Sequence, residues 1–111
     1  VVKAKPGKIS KLVTAGTENV GIRVPDHPVA LKLIEFVGGP ITATSANLSR
    51  KPASISLRGA LEQLGEHIDL ALDSGKCKLG TPSTVLDLSS GPPRILREGP
   101  ISKRELSRIL K

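Results

Sequence analysis

The stretch from Asn19 to Ser49, NVGIRVPDHPVALKLIEFVGGPITATSANLS, decides how this chain is read. Asn19 to Val24 alternates apolar and other residues, which predicts a strand. Pro25-Asp26-His27-Pro28 stops that strand and starts a helix, with Pro28 in the first turn, where a missing N–H is tolerated. Val29, Leu31, Leu33, Ile34 and Val37 give the helix an apolar face, and Gly38-Gly39-Pro40 ends it. Ile41 to Thr44 reads as a short buried strand that runs into Ser45-Ala46-Asn47-Leu48-Ser49, a loop of small polar groups. Alternating strands and helices predict an α/β domain with a mixed sheet.

Outward from this stretch, Val1 to Ala4 looks like a strand already under way, and Lys5 to Gly16 like a basic loop. Ser56 to Leu64 predicts a second helix despite Gly59, Ile68 to Leu72 a strand, and Asp73-Ser74-Gly75 a turn. Thr84 to Leu88 and Arg94 to Arg97 predict two strands separated by a Ser-Ser-Gly-Pro-Pro turn. Ser102 to Leu110 predicts a closing helix with a capping box of Ser102 and Glu105. At 111 residues this is one domain or a piece of one.

Composition narrows the function classes. No apolar run approaches the roughly 20 residues of a membrane span, and the N-terminus has no signal-peptide pattern. We therefore expect a soluble, cytoplasmic protein without a membrane partner. The lone Cys77 has Lys76 and Lys78 beside it but no base nearby in sequence, and it is assigned no role. A net charge of +7 is concentrated at Lys3, Lys5, Lys8 and Lys11, at Arg50, Lys51 and Arg58, and in six basic residues after Gly91. That balance favours anionic partners, nucleic acid or nucleotide phosphate. Phe36 is the single aromatic, which argues against a base-stacking platform for single-stranded RNA.

His27 and His67 lie far apart, so no metal cluster is expected, and no Walker loop, GxGxxG or GxSxG is present. His27 reads as a helix-start residue. Phosphate chemistry would have to use hydroxyls, backbone N–H groups and arginines. Three places offer them: Thr42-Ala43-Thr44-Ser45-Ala46-Asn47, Gly80-Thr81-Pro82-Ser83-Thr84, and the pair Arg23 and Arg97. An arginine inside an apolar strand calls for a partner, and bidentate recognition of a carboxylate or phosphate would supply one. Such loops also form ordinary turns, and Arg23 could equally pair with Asp26 or Asp73.

Four ordered segments carry a resemblance to a known family. Val20-Gly21-Ile22-Arg23-Val24-Pro25-Asp26-His27-Pro28 is one, and Pro40-Ile41-Thr42-Ala43-Thr44-Ser45-Ala46-Asn47-Leu48-Ser49 is the second. The third is Asp73-Ser74-Gly75 followed by Gly80-Thr81-Pro82-Ser83-Thr84-Val85-Leu86-Asp87-Leu88; the fourth is Ile95-Leu96-Arg97-Glu98-Gly99-Pro100-Ile101. Together they resemble the Sua5/YrdC/YciO family over about residues 19 to 101. The resemblance implies a twisted mixed sheet flanked by helices, the YrdC-like fold, with residues 1–111 as the C-terminal portion of one such domain. The family domain is nearly twice as long. Its N-terminal half carries a Lys-x-Arg element without a counterpart here, so this piece is expected to be inactive by itself.

The resemblance implies a nucleotidyltransferase, a threonylcarbamoyl-AMP synthase. Such an enzyme joins L-threonine, bicarbonate and ATP, releases pyrophosphate and serves t6A modification of ANN-decoding tRNA. By matching position, Arg23, Ala43 and Ser83 would bind threonine, and Asn19, Ser45, Ala53 and Arg97 would bind ATP. Ser45 and Asn47 form the family's Ser-x-Asn element, Mg²⁺ would come with the ATP, and t6A-pathway proteins are expected partners. Two departures stand out: Arg50 where the family often has Gly, and Asp73-Ser74-Gly75 for Asp-Gly-Gly. The rival readings are a carbamoyl-adenylate-forming domain of the hydrogenase-maturation type, a YciO-type paralogue, and a non-catalytic module binding double-stranded RNA or tRNA.

Overall fold

The computed structural model describes residues 1–78 and 80–110; Lys111, the last of the C-terminal basic residues, lies outside them. The chain divides into two compact units, one of Val1–Val24 with Thr81–Lys111 and the other of Pro25–Gly80.

In the first unit, β1 (Val2–Lys3) pairs antiparallel with β2 (Asn19–Val20), Val2 opposite Val20 and Lys3 opposite Asn19. The basic loop between them is shaped by threonines. Thr14 is buried, and the Thr17 hydroxyl donates to the Thr14 carbonyl at 2.7 Å while accepting from the Asn19 N–H at 3.2 Å. The chain reverses through left-handed backbone at Ala15 and Gly16, φ 50° and 73°.

A hairpin follows from β3 (Val85–Asp87) and β4 (Arg94–Arg97), with Leu86 opposite Ile95, Asp87 opposite Arg94, and a bulge between Val85 and Leu86. Its connection contains Pro92 and Pro93, which cannot donate hydrogen bonds, so a side chain organises the turn. Asp87 Oδ1 accepts from the Ser89 N–H at 2.9 Å and the Ser89 hydroxyl at 2.6 Å. Val1 joins the two ladders: its nitrogen donates to the Leu86 carbonyl at 2.6 Å, and its carbonyl accepts from the Leu88 N–H at 2.8 Å. The unit ends in the helix Lys103–Ile109, which has the expected capping box. Ser102 Oγ accepts from the Glu105 N–H, and Glu105 Oε2 accepts from the Ser102 N–H at 2.8 Å.

In the second unit, α1 (Pro28–Val37) starts at His27, which caps it through backbone geometry and makes no side-chain cap bond. It closes on Gly38 at φ 74°, whose N–H reaches the Ile34 and Glu35 carbonyls. The second helix, α2 (Leu57–Leu64), is capped by the Ser56 hydroxyl and runs into a single 3₁₀ turn, Gly65–His67. Ala60 on α2 is the one buried hydrophobic residue among those described.

The α/β class is observed, with the helices where the sequence predicts them. The sheet is less extensive than expected. The strand expected over 19–24 is ladder-paired only at Asn19–Val20, and 41–44 and 68–72 form no ladder among the described residues. A strand exists only when its N–H and C=O groups meet those of a neighbour. These segments have the apolar side chains of strands but no such neighbour, and they leave Ile22, Val24, Leu70 and Leu72 exposed at 71%, 83%, 79% and 56%. The resulting ladders are two antiparallel pairs.

The Asp87 turn makes stability pH-dependent. Asp87 is buried, and the Ser89 hydroxyl, then the Ser89 N–H and more weakly Arg94, hold its carboxyl below the ordinary value. A depressed folded-state pKa contributes stability that is complete above the unfolded value of about 3.9 and is lost as pH falls through the lower folded value. Glu105, held down by the Ser102 hydroxyl and N–H, acts in the same direction. Denaturant midpoints measured between about pH 5 and pH 2 should therefore fall on acidification. Asp87→Asn should flatten that dependence, and a curve as steep as that of the parent protein would contradict the assignment.

Candidate functional site

Within the first unit the structure brings Ser83 and Arg97 together. Arg97 ends β4, and its Nε and Nη2 donate to the Ser83 carbonyl at 3.0 and 2.9 Å. This two-pronged contact uses the planar fork of the guanidinium and leaves its other N–H groups for a further acceptor. Arg97 also lines an open groove of about 620 Å³, together with Lys103 and the apolar side chains of Leu86, Ile95, Leu106 and Leu110. Next to the arginine, Gly99 lies against the 82–84 backbone so closely that a Cβ there would stand 2.4 Å from the Pro82 carbonyl oxygen and the Thr84 nitrogen. Beyond it, the Thr84 hydroxyl donates to the Ile101 carbonyl at 2.7 Å and accepts from the Ile101 N–H at 3.1 Å.

Asn19 is half-buried in β2, its N–H held by the Thr17 hydroxyl. Arg23 follows that strand and is not part of it. Its side chain is exposed and has no hydrogen bond among the described residues of its unit, so the expected cost of an arginine embedded in a strand does not arise.

In the second unit, Ala43 and Ser45 lie exposed in the segment before a tight turn, where the Ser45 carbonyl accepts from the Asn47 N–H at 3.0 Å. Asn47 builds the turn, donating from Nδ2 to the Leu48 carbonyl at 2.9 Å and the Lys51 carbonyl at 3.0 Å. Its Oδ1 is buried and accepts no hydrogen bond among the described residues. Arg50, within the same turn, has φ 66°, which explains why glycine suits this position: a residue with a Cβ is strained there by roughly 1–2 kcal/mol. The Asp73-Ser74-Gly75 turn needs no such explanation. Its positive φ of 85° falls on Gly75, whose N–H bonds Asp73 Oδ1 at 2.9 Å, so Ser74 is unstrained.

Sequence reasoning passed over the residue that holds this loop from behind. Gln63, on α2, accepts the Leu48 N–H at 3.0 Å and donates to the Pro52 carbonyl at 3.3 Å and Ser54 Oγ at 3.1 Å. It thereby braces both sides of the segment that ends at the exposed Ala53. The signal was an amide beside the Leu57, Ala60, Leu61 and Leu64 stripe, where an apolar residue would have been the ordinary choice. Cys77 is exposed, and its N–H bonds the Ile55 carbonyl at 2.8 Å. Among the described residues no three His, Cys, Asp or Glu side chains converge on a metal position.

These loops match known proteins in order and in shape. A family model for Sua5, YciO and YrdC, described as "Telomere recombination", matches residues 1–99. The chain is 36% identical over 110 residues to the threonylcarbamoyl-AMP synthase of Pyrococcus abyssi, covering 99% of this chain and 32% of that protein. It is 41% identical to the threonylcarbamoyl-AMP synthase of Bacillus subtilis, with the same coverage. A solved structure of P. abyssi Sua5 complexed with L-threonine aligns with a TM-score of 0.89 at 36% identity, covering 94% of this chain and 31% of that one. The chain thus spans about a third of the length of these relatives, and it belongs to the Sua5/YciO/YrdC family.

Proposed function

We propose that this chain is the C-terminal portion of a threonylcarbamoyl-AMP synthase domain. The observation that carries the reading is its likeness, at 36% identity, to a Sua5 solved with L-threonine. The presence of the family's polar residues at exposed or half-buried positions supports it.

In the proposed reaction the threonine amine attacks the carbon of bicarbonate, and loss of water leaves a carbamate. A carbamate oxygen then attacks the α-phosphorus of ATP; the new P–O bond forms as the bond to the β-phosphate oxygen breaks, and pyrophosphate leaves. Nothing here requires a covalent nucleophile on the protein. The protein's task is to orient two anions and to balance charge where it develops. Arg23, exposed and without a hydrogen bond among the described residues of its unit, suits the threonine carboxylate, and Ala43 and Ser83 are assigned to the same amino acid by matching position. Ser45, Arg97, Asn19 and Ala53 are assigned to ATP, and Asn47 shapes the turn that presents Ser45. Mg²⁺ would be held by the ATP phosphates. The product's use in t6A modification of tRNA, with its partner proteins, and a cytoplasmic location belong to the same proposal.

A second reading draws on one feature. Lys3, Lys5, Lys8 and Lys11 are all exposed on β1 and the loop after it, a basic face suited to a nucleic-acid backbone. A pure RNA-binding module would bind tRNA with a steep salt dependence and ignore threonine.

Pyrophosphate release by the full-length protein, given ATP–Mg²⁺, should require both L-threonine and bicarbonate; release indifferent to threonine would sink the synthase reading. Arg23→Ala should weaken threonine binding by roughly 10- to 100-fold, the equivalent of a charged hydrogen-bonded contact of about 1.5–3 kcal/mol. Gln63→Ala should raise hydrogen exchange at the Leu48 amide several-fold, following the loss of a bond worth about 1 kcal/mol, and should raise the KM for ATP. Unchanged exchange would show that Gln63 does not hold the loop.

A further inference from the structure

The β3–β4 ladder stops at the pairing of Val85 with Arg97. Beyond it the two chains do not separate. They remain joined through side chains and a glycine: Arg97 bonds the Ser83 carbonyl, Gly99 abuts the backbone of 82–84, and Thr84 bonds Ile101 in both directions. Ser83 takes the Arg97 contact on its own carbonyl and directly precedes Thr84, on a segment outside the β3–β4 ladder.

The geometry points to Thr84 as a positioning residue that sets the spacing between Ser83 and Arg97, and so couples the amino-acid and nucleotide sites of the synthase. This rests on the function proposed above. The residue type is the argument. One hydroxyl both donates to the Ile101 carbonyl and accepts from the Ile101 N–H, which serine can also do and valine, of nearly the same shape, cannot. With the hydroxyl gone, Arg97 makes the remaining side-chain hydrogen bonds to the 81–84 segment among the described residues, beside the packing of Gly99, and any phosphate that draws the guanidinium away loosens Ser83 as well. With it in place, Arg97 can turn toward a phosphate while Ser83 stays fixed.

The test compares Thr84→Val and Thr84→Ser in the full-length protein, reading KM for L-threonine and for ATP, kcat, and the thermal midpoint. Thr84→Val should raise both KM values about tenfold, and Thr84→Ser should restore them, with the two variants unfolding at similar temperatures. Ile101 amide exchange, read without ligand, should rise in the valine variant and not in the serine one. Wild-type KM values in Thr84→Val, or equal KM values in the two variants, would overturn the inference while leaving the synthase reading intact. A parent protein that releases no pyrophosphate with threonine would overturn both. If Thr84→Val does not fold, Thr84→Ala takes its place; if no hydroxyl-free variant folds, Thr84 is a folding residue and the inference fails.

Discussion

Val1 holds the first unit together by its main chain alone. Its bonds to Leu86 and Leu88 bridge a sequence separation of 85 residues and place β1 beside β3. Without them the unit would be two isolated two-stranded ladders, an arrangement marginal in water. With them, β2, β1, β3 and β4 follow one another by hydrogen bonding, so that Asn19 on β2, Arg97 at the end of β4 and Ser83 just before β3 all sit on connected strands or at their ends. Because the link is backbone to backbone, it depends on register and scarcely on the side chain at position 1.

Much of this was legible in the sequence, for local reasons. The capping box at Ser102 and Glu105, the proline at the start of α1 and the left-handed glycine at its end are short-range devices, and each appears where its residues predict it. The hairpin also follows from its turn residues. Strand pairing is a different matter. Ile41 to Thr44 and Ile68 to Leu72 have the composition of strands, yet composition specifies no neighbour, and no ladder forms there among the described residues. Periodicity reports which face is apolar and is silent on what pairs with the edge.

The candidate site divides along the same line. Its residues stand out through their order along the chain, and the departure from glycine at Arg50 falls on a positive φ. The contacts among them were not visible. Arg97 reaches Ser83, Thr84 reaches Ile101, and Gln63 reaches three points of one loop. These pairings depend on how the backbone folds back, which no spacing along the chain encodes. The strand-embedded arginine inferred at position 23 shows the converse error. The alternating pattern runs on to Val24 while the ladder stops at Val20, and Arg23 is exposed beyond the strand's end.

The closeness of Gly99 to the 82–84 backbone has a consequence for evolution. Pro82, Ser83 and Thr84 leave no room for even a methyl group at position 99, so selection would hold that glycine in place whatever the ligand beside it. A lineage that abandoned the chemistry and kept the fold would keep Gly99 and could let Arg23 drift, since the exposed Arg23 side chain makes no hydrogen bond among the described residues of its unit. The two positions would therefore answer to different demands: Gly99 to the architecture, and Arg23 to whatever trade the fold is put to.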